Sequence, residues 1–257
     1  MLLACLFAHA AAAQTGAPNC RFETRGNPST AITVSDGRSF RLADGREIKL
    51  AGIDVPFAAG DGASKAAFTS RAALERLVLG KEILLTAASD ATDRYGRIAA
   101  IAFVNGSETP VQYDLLAVGQ ARVSAQALGD GCTQALLGEE KKARDGRLGL
   151  WGDPGYAVRA AADGPANRLQ QGRFSVAEGR VVSVRDSGGT IYINFGRRWS
   201  EALTVTILKQ NVRSFAAAGI EPRTLEGRIV RIRGYVEVRN GPVIEASRPE
   251  QIEVAAR

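Results

Sequence analysis

Residues 36–56 read DGRSFRLADGREIKLAGIDVP, and the spacing of turns and apolar residues in this stretch decides the fold. Two Asp-Gly pairs, Asp36-Gly37 and Asp44-Gly45, punctuate short β-rich runs. Asp-Gly suits the tight turns that join antiparallel strands, because glycine reaches positive φ without steric cost. The segment therefore predicts a meander with strands at Ala31–Val34, Ser39–Leu42 and Glu47–Ile53. Working outward, two more β-rich runs follow at Glu82–Thr86 and Ile98–Val104, the second closed by Asn105-Gly106. Three helical patterns interrupt them. Ala63–Leu79 places Ala67, Leu74, Leu77 and Val78 on one face, Val111–Val118 ends at Gly119, and Thr133–Arg144 carries Leu136, Leu137, Glu140 and Ala143. Five strands with inserted helices predict a small Greek-key barrel of the OB type over residues 14–152.

Residues 153–172 are rich in Gly, Pro and Ala, hold no sustained apolar period and read as a linker. Residues 173–257 return to strands: Glu178–Arg185, Thr190–Phe195 and Leu203–Leu208, then a helical stretch Gln210–Ala218 ended by Gly219, then Gly227–Val238 and Val243–Ala246, with Gln251–Val254 a sixth candidate. Three strands, a helix and two strands repeat the OB order. The expected fold class is mainly β with inserted helices, as two five-stranded OB-type Greek-key barrels in tandem.

The N-terminal run Leu2–Ala13 is uniformly apolar and ends in small residues, as a secretory signal does. It is too short to span a bilayer, and no transmembrane segment is expected. Residues 1–13 are expected to be a signal peptide that sends the protein to the periplasm or outside the cell; Leu2-Leu3-Ala4-Cys5 leaves a lipoprotein signal as the alternative. The chain has a single histidine, His9, so removing the signal leaves none. A histidine-free mature chain excludes Ser-His-Asp and Cys-His catalysis and His-ligated zinc. Of the three cysteines, Cys20 and Cys132 would remain, an even pair in an oxidising compartment with no CxxC spacing. They are expected to form a structural disulfide.

With 45% hydrophobic and 23% charged residues the chain has ordinary globular composition, and its net charge is +6. The excess lies in the second part: residues 165–257 hold 15 Lys and Arg against 9 Asp and Glu, while the first part is balanced. Strand alternation in 227–238 sets Arg231, Arg233 and Tyr235 on one face, continued by Glu237 and Arg239, opposite Val230, Ile232 and Val236. Phe195-Gly196-Arg197-Arg198-Trp199 adds guanidiniums beside aromatic rings. Arginine interleaved with aromatics suits single-stranded nucleic acid, whose phosphates attract the cations and whose bases stack on the rings. The alternative is a solvated outer barrel face.

Four segments in register carry a resemblance: Ile48–Pro56 after Asp36-Gly37, Asp93-Arg94-Tyr95-Gly96-Arg97, Leu115–Val123, and Glu140 with Ala143-Arg144 and Gly149-Leu150-Trp151. Over roughly residues 30–152 the chain resembles the thermonuclease, or staphylococcal-nuclease-like, family; the second half resembles an OB-type extension more loosely. The resemblance implies calcium-assisted phosphodiester hydrolysis in DNA or RNA, with two aspartates and a carbonyl on the ion, a glutamate activating water and two arginines on the phosphate. Asp54 matches the second metal aspartate, with the Val55 carbonyl beside it. Lys49 and Arg97 match the phosphate-stabilising positions, and Arg94 and Tyr95 match nucleotide contacts. Arg38 stands at the first metal aspartate and Phe57 at the general base, while Ala125 and Ala127 stand at two nucleotide-flanking tyrosines.

Losing a general base typically costs about 10²–10⁴ in rate, and an arginine in place of a metal aspartate repels a divalent cation. The sequence therefore leads to an exported, catalytically degenerate module that binds single-stranded nucleic acid or phosphate through Lys49, Arg97, Arg94, Tyr95, Arg231, Arg233 and Tyr235. No cofactor is expected unless the family's calcium site is retained. Two alternatives stay open: an active divalent-metal-dependent phosphodiesterase with Asp36 or Asp61 as a substitute carboxylate, and a protein- or glycan-binding envelope module. An ion pair between Asp54 and Arg97 is the purely structural alternative for those two residues.

Overall fold

The computed structural model describes residues 25–56, 64–125, 130–162 and 169–255. The first domain is a closed barrel in the order β1-β2-β3-β6-β5, built from β1 (Arg25–Asp36), β2 (Ser39–Leu42), β3 (Glu47–Leu50), β5 (Glu82–Thr92) and β6 (Ile98–Val104). All neighbours are antiparallel except β3 and β6, which run parallel, so the order is that of an OB barrel. Helix α1 (Lys65–Val78) is capped by Ser64, whose side chain accepts from the Ala67 amide. Helices α2 (Val111–Ala117) and α3 (Asp130–Asp145) complete the domain around a core that includes Phe40, Ile48, Leu74, Ile83 and Leu115.

The run expected as one strand, Glu47–Ile53, divides in two. Gly52 adopts φ +75°, a conformation an L side chain resists, and turns the chain out of the barrel. Residues Ile53 and Asp54 then form a separate strand, β4, paired with β7 (Arg122–Val123). Glycine is also needed where α2 ends against the turn after α3. A Cβ on Gly119 would lie 2.2 Å from the Leu148 carbonyl oxygen, and one on Gly149 would lie 2.4 Å from that of Gly119.

The second domain contains β9 (Phe174–Arg180), β10 (Ser183–Ser187), β11 (Thr190–Asn194), β12 (Thr204–Leu208), a short α4 (Val212–Ala217), β13 (Ile229–Val238), β14 (Pro242–Glu245) and β15 (Ile252–Val254). Its sheet runs β10-β11-β12-β14-β13-β9, and β12 pairs parallel with β14 as β3 does with β6. Only Val181 and Val182 separate β9 from β10, so the path starts and ends on one interrupted strand. Both domains thus follow one strand order, as the sequence pattern predicts. The expected linker behaves differently. Its residues Arg159–Ala160 form β8, parallel to β9, and Ala161 is fully buried in the second core, with its carbonyl accepting from the Leu203 amide.

The barrels meet through both apolar and charged contacts. Ala143 and Trp151 pack with Phe174 and Val176. Beside them Arg233 of β13 is 1% exposed and clamps Glu140 of α3 with two bonds of 2.9 Å.

Candidate functional site

The separation of β4 from the barrel sets Asp54 at the boundary between the domains, where it is 4% exposed. Pairing of β4 with β7 brings Arg122 opposite it in the ladder, and Arg122 Nη2 donates to Asp54 Oδ2 at 2.9 Å. The Tyr235 hydroxyl, from β13, donates to Asp54 Oδ1 at 2.9 Å. Arg38 Nη1 stands 4.0 Å from the same Oδ1 and donates to the Ile53 carbonyl at 3.4 Å. Both carboxylate oxygens therefore have donors, and a guanidinium flanks them. Burial, followed by the negative charge of Asp54, pushes the Tyr235 phenol above its ordinary range and keeps it a donor.

A chain of contacts fixes Arg122 in this position. The next residue, Val123, donates its amide to Glu140 Oε2 at 2.5 Å, and its carbonyl accepts from Arg233 Nη1 at 3.1 Å. Glu140 is fully buried and also accepts from Arg144 Nη1 at 3.0 Å. Two side chains of one face of β13, two residues apart, thus reach the first domain: Arg233 holds β7, and Tyr235 closes on Asp54.

The other family positions gather on the outer face of the first barrel. Lys49 on β3 is half-buried, and burial, then the charges of Arg38 and Arg97, depress its pKa, partly offset by Asp93 and Asp36. Three cations therefore lie within electrostatic reach, and a bound anion would relieve their repulsion. Arg97 is held by Asp93, with Nε and Nη2 donating to Oδ2 at 3.0 and 2.8 Å. The Arg97 side chain, helped by the Arg97 and Tyr95 amides, holds the Asp93 carboxyl down at about 2. Tyr95 is 63% exposed, with Arg94 and Arg97 guanidinium carbons 4.9 and 5.0 Å from its ring centre. Asp54 is paired with Arg122 and Arg97 with Asp93, so the Asp54–Arg97 pair that was the structural alternative for these residues does not form.

The residues expected on an open face of β13 are placed otherwise. Arg231, Arg233 and Tyr235 do share a face, but Arg233 is enclosed by Glu140 and Glu253, and Arg231 pairs with Glu178 at 2.5 Å and Glu253 at 3.3 Å. Burial opposes the charge of Glu253, yet Arg233, Arg231 and Arg144 together hold its carboxyl below the usual range. On this face Arg233 pairs with Glu140 of α3 and Tyr235 with Asp54 of β4, so it lies against the first domain. An exposed aromatic-basic cluster of the second domain lies instead on β10, β11 and the segment that follows β11. Arg185 faces Tyr192 in the ladder and lies 5.6 Å from the ring centre of Trp199, which is 56% exposed, whereas Phe195 belongs to the core.

Cys20, Phe57, Asp61 and Ala127 lie outside the described residues, as do His9 and the expected signal peptide. Cys132 is half-buried on the first turn of α3, and Ala125 is buried. Calcium takes about six to eight oxygen ligands. At this corner the carboxylate of Asp54 is bonded to Arg122 and Tyr235 and flanked by Arg38, and among the described residues no group of three or more His, Cys, Asp or Glu is placed to hold a metal ion. This donor set does not fit calcium.

The first domain is a closed OB barrel with two helices after its last strand. Residues 47–153 match the family of staphylococcal nuclease homologues, so this domain is staphylococcal-nuclease-like; the match covers less than half of the chain. No curated protein matches the chain. Among the described residues no helix is long and apolar enough to cross a membrane.

Proposed function

We propose that the protein binds single-stranded nucleic acid through phosphate contacts and does not hydrolyse it. The observation that supports this reading most is the engagement of both Asp54 oxygens by Arg122 and Tyr235 beside Arg38, which with Lys49 and the Asp93-paired Arg97 makes a group of three cations. Positive charge without an available metal carboxylate favours holding a phosphate over attacking it. Phe57 at the general-base position agrees, since a phenyl ring accepts no proton. Tyr95 offers a ring for a base, and Arg185 with Trp199 offers a second stacking platform on the other domain. Export after residue 13 and a Cys20–Cys132 disulfide belong to the same proposal; alkylation without reductant would then label neither cysteine of the mature chain.

The test is binding of labelled oligo-dT and oligo-U across a salt series. Phosphate contacts predict affinity that falls steeply with salt, and Lys49→Gln should lower the slope by about one. Absence of binding at low salt would overturn the proposal and leave a protein or glycan partner.

A further inference from the structure

Lys49 differs from the cations beside it in having no partner. Alternation along β3 turns Glu47 and Lys49 to the outer face and Ile48 and Leu50 into the core. In the ladder Lys49 lies opposite Ser39 of β2, and Arg97 Nη1 approaches Ser39 Oγ to 3.5 Å, which sets the Arg97 guanidinium beside the lysine. Asp93 and Asp36, whose charges act on Lys49, already have donors in Arg97 and the Arg38 amide, and Glu47, its outward neighbour on β3, is paired with Arg41. Among the described residues no hydrogen bond or ion pair reaches Lys49 Nζ. Lys141, Lys142 and Lys209, by contrast, each hold a carboxylate.

A half-buried lysine without a carboxylate, set next to other cations, shifts toward the neutral amine, and a neutral amine adds to carbonyl carbon. Burial and the charges of Arg38 and Arg97 push Lys49 in this direction. Arginine, the other cation that serves a phosphate, stays protonated and forms no such adduct. The carbonyl that a DNA strand carries to this face is the C1′ aldehyde of a deoxyribose that has lost its base. We infer that Lys49 captures abasic sites in single-stranded DNA as a Schiff base between Nζ and C1′ of the opened sugar. The inference rests on the proposed strand binding at this face, which brings the sugar to the lysine. The amine adds to C1′, the carbinolamine loses water, and a protonated imine joins the two. The imine acidifies C2′, whose proton passes to solvent water while the C3′–O bond breaks and leaves a 5′-phosphate on the downstream fragment. Water then hydrolyses the imine, releasing Lys49 and an unsaturated aldehyde on the upstream fragment. This is elimination rather than hydrolysis, so strands that keep all their bases stay intact.

The test incubates the full chain with 5′-labelled oligo-dT carrying one central abasic site, in sodium cyanoborohydride, which reduces the imine to a stable amine. A covalent protein–DNA adduct should form, and peptide mass spectrometry should place it on Lys49 rather than on another lysine or the N-terminal amine. Without the reductant, the same strand should yield the shortened elimination product in EDTA as in magnesium. Lys49→Arg keeps the positive charge and should abolish both products while still binding unmodified oligo-dT. Binding of unmodified oligo-dT with no adduct, an adduct mapped to other amines, or one that persists in Lys49→Arg would overturn the inference and leave the proposed strand binding standing. No adduct together with no binding of oligo-dT would overturn both.

Discussion

Replacing Glu140 by alanine should destabilise the whole chain. The carboxylate is fully buried and accepts from the Val123 amide at 2.5 Å, from Arg144 at 3.0 Å and twice from Arg233 at 2.9 Å. Arg233 is itself 1% exposed, and burial would disfavour its charge were it not held up by Glu140 and Glu253. Removing one partner of a buried ion pair costs about 3–5 kcal/mol, because the other charge is left uncompensated. Glu253 remains bonded to Arg233, so the low end applies, about 3 kcal/mol. For chains of this size each kcal/mol moves the melting midpoint by about 2–4 °C, giving a fall of about 6–12 °C. Replacing both charges, as Glu140→Leu with Arg233→Met, should recover most of the loss, since apolar packing often replaces a buried pair at little cost. Thermal and urea unfolding of the unmutated chain, Glu140→Leu, Arg233→Met and the double variant closes a double-mutant cycle that supplies the coupling energy. A Glu140→Ala cost below about 1 kcal/mol, or a double variant as unstable as the sum of the singles, would refute the view that this pair joins the domains.

Three further outcomes follow from the same contacts. Tyr235→Phe keeps the edge-to-face contact with Phe174, at 5.5 Å between centroids, but loses the hydroxyl on Asp54, so urea unfolding should report a loss of about 1 kcal/mol. Asp93 has its pKa lowered from 3.8 to about 2 by Arg97, so the folded state binds its proton less readily than the unfolded chain. Its stabilisation is complete above pH 3.8 and fades as pH falls through 2, and melts between pH 5 and 2 should show a shallower decline in Asp93→Asn. Trp199→Ala should weaken oligo-dT binding about tenfold, in line with about 1–3 kcal/mol for one stacked base, and leave the melting midpoint unchanged because the ring is 56% exposed.

The strands of both barrels and their helices were legible because local patterns report them: alternation, Asp-Gly turns and glycines at helix ends. The grouping of Lys49 with Arg97 was legible through the resemblance. Arg122 was not, since its contact with Asp54 depends on pairing β4 with β7, strands far apart in sequence. Alternation correctly set Arg231, Arg233 and Tyr235 on one face of β13, but periodicity cannot say what covers a face. A signal was present in α3, where Glu140 shares the apolar face with Leu136, Leu137 and Ala143. An acid on a buried helix face needs a buried cation, and Arg233 is that cation. The strand β8 within residues 153–172 was not legible for a related reason: Arg159–Ala160 pairs by backbone bonds to β9, which side-chain composition does not reveal.

The central claim is that Asp54 serves the domain boundary, held by Arg122 and Tyr235, and supports no hydrolysis. Incubation of end-labelled single-stranded DNA and RNA with the purified chain in calcium, magnesium, manganese or EDTA tests it most directly. The account predicts intact strands under every condition, with salt-sensitive binding to the same strands. Metal-dependent cleavage that disappears in both Asp54→Asn and Arg97→Ala would contradict it.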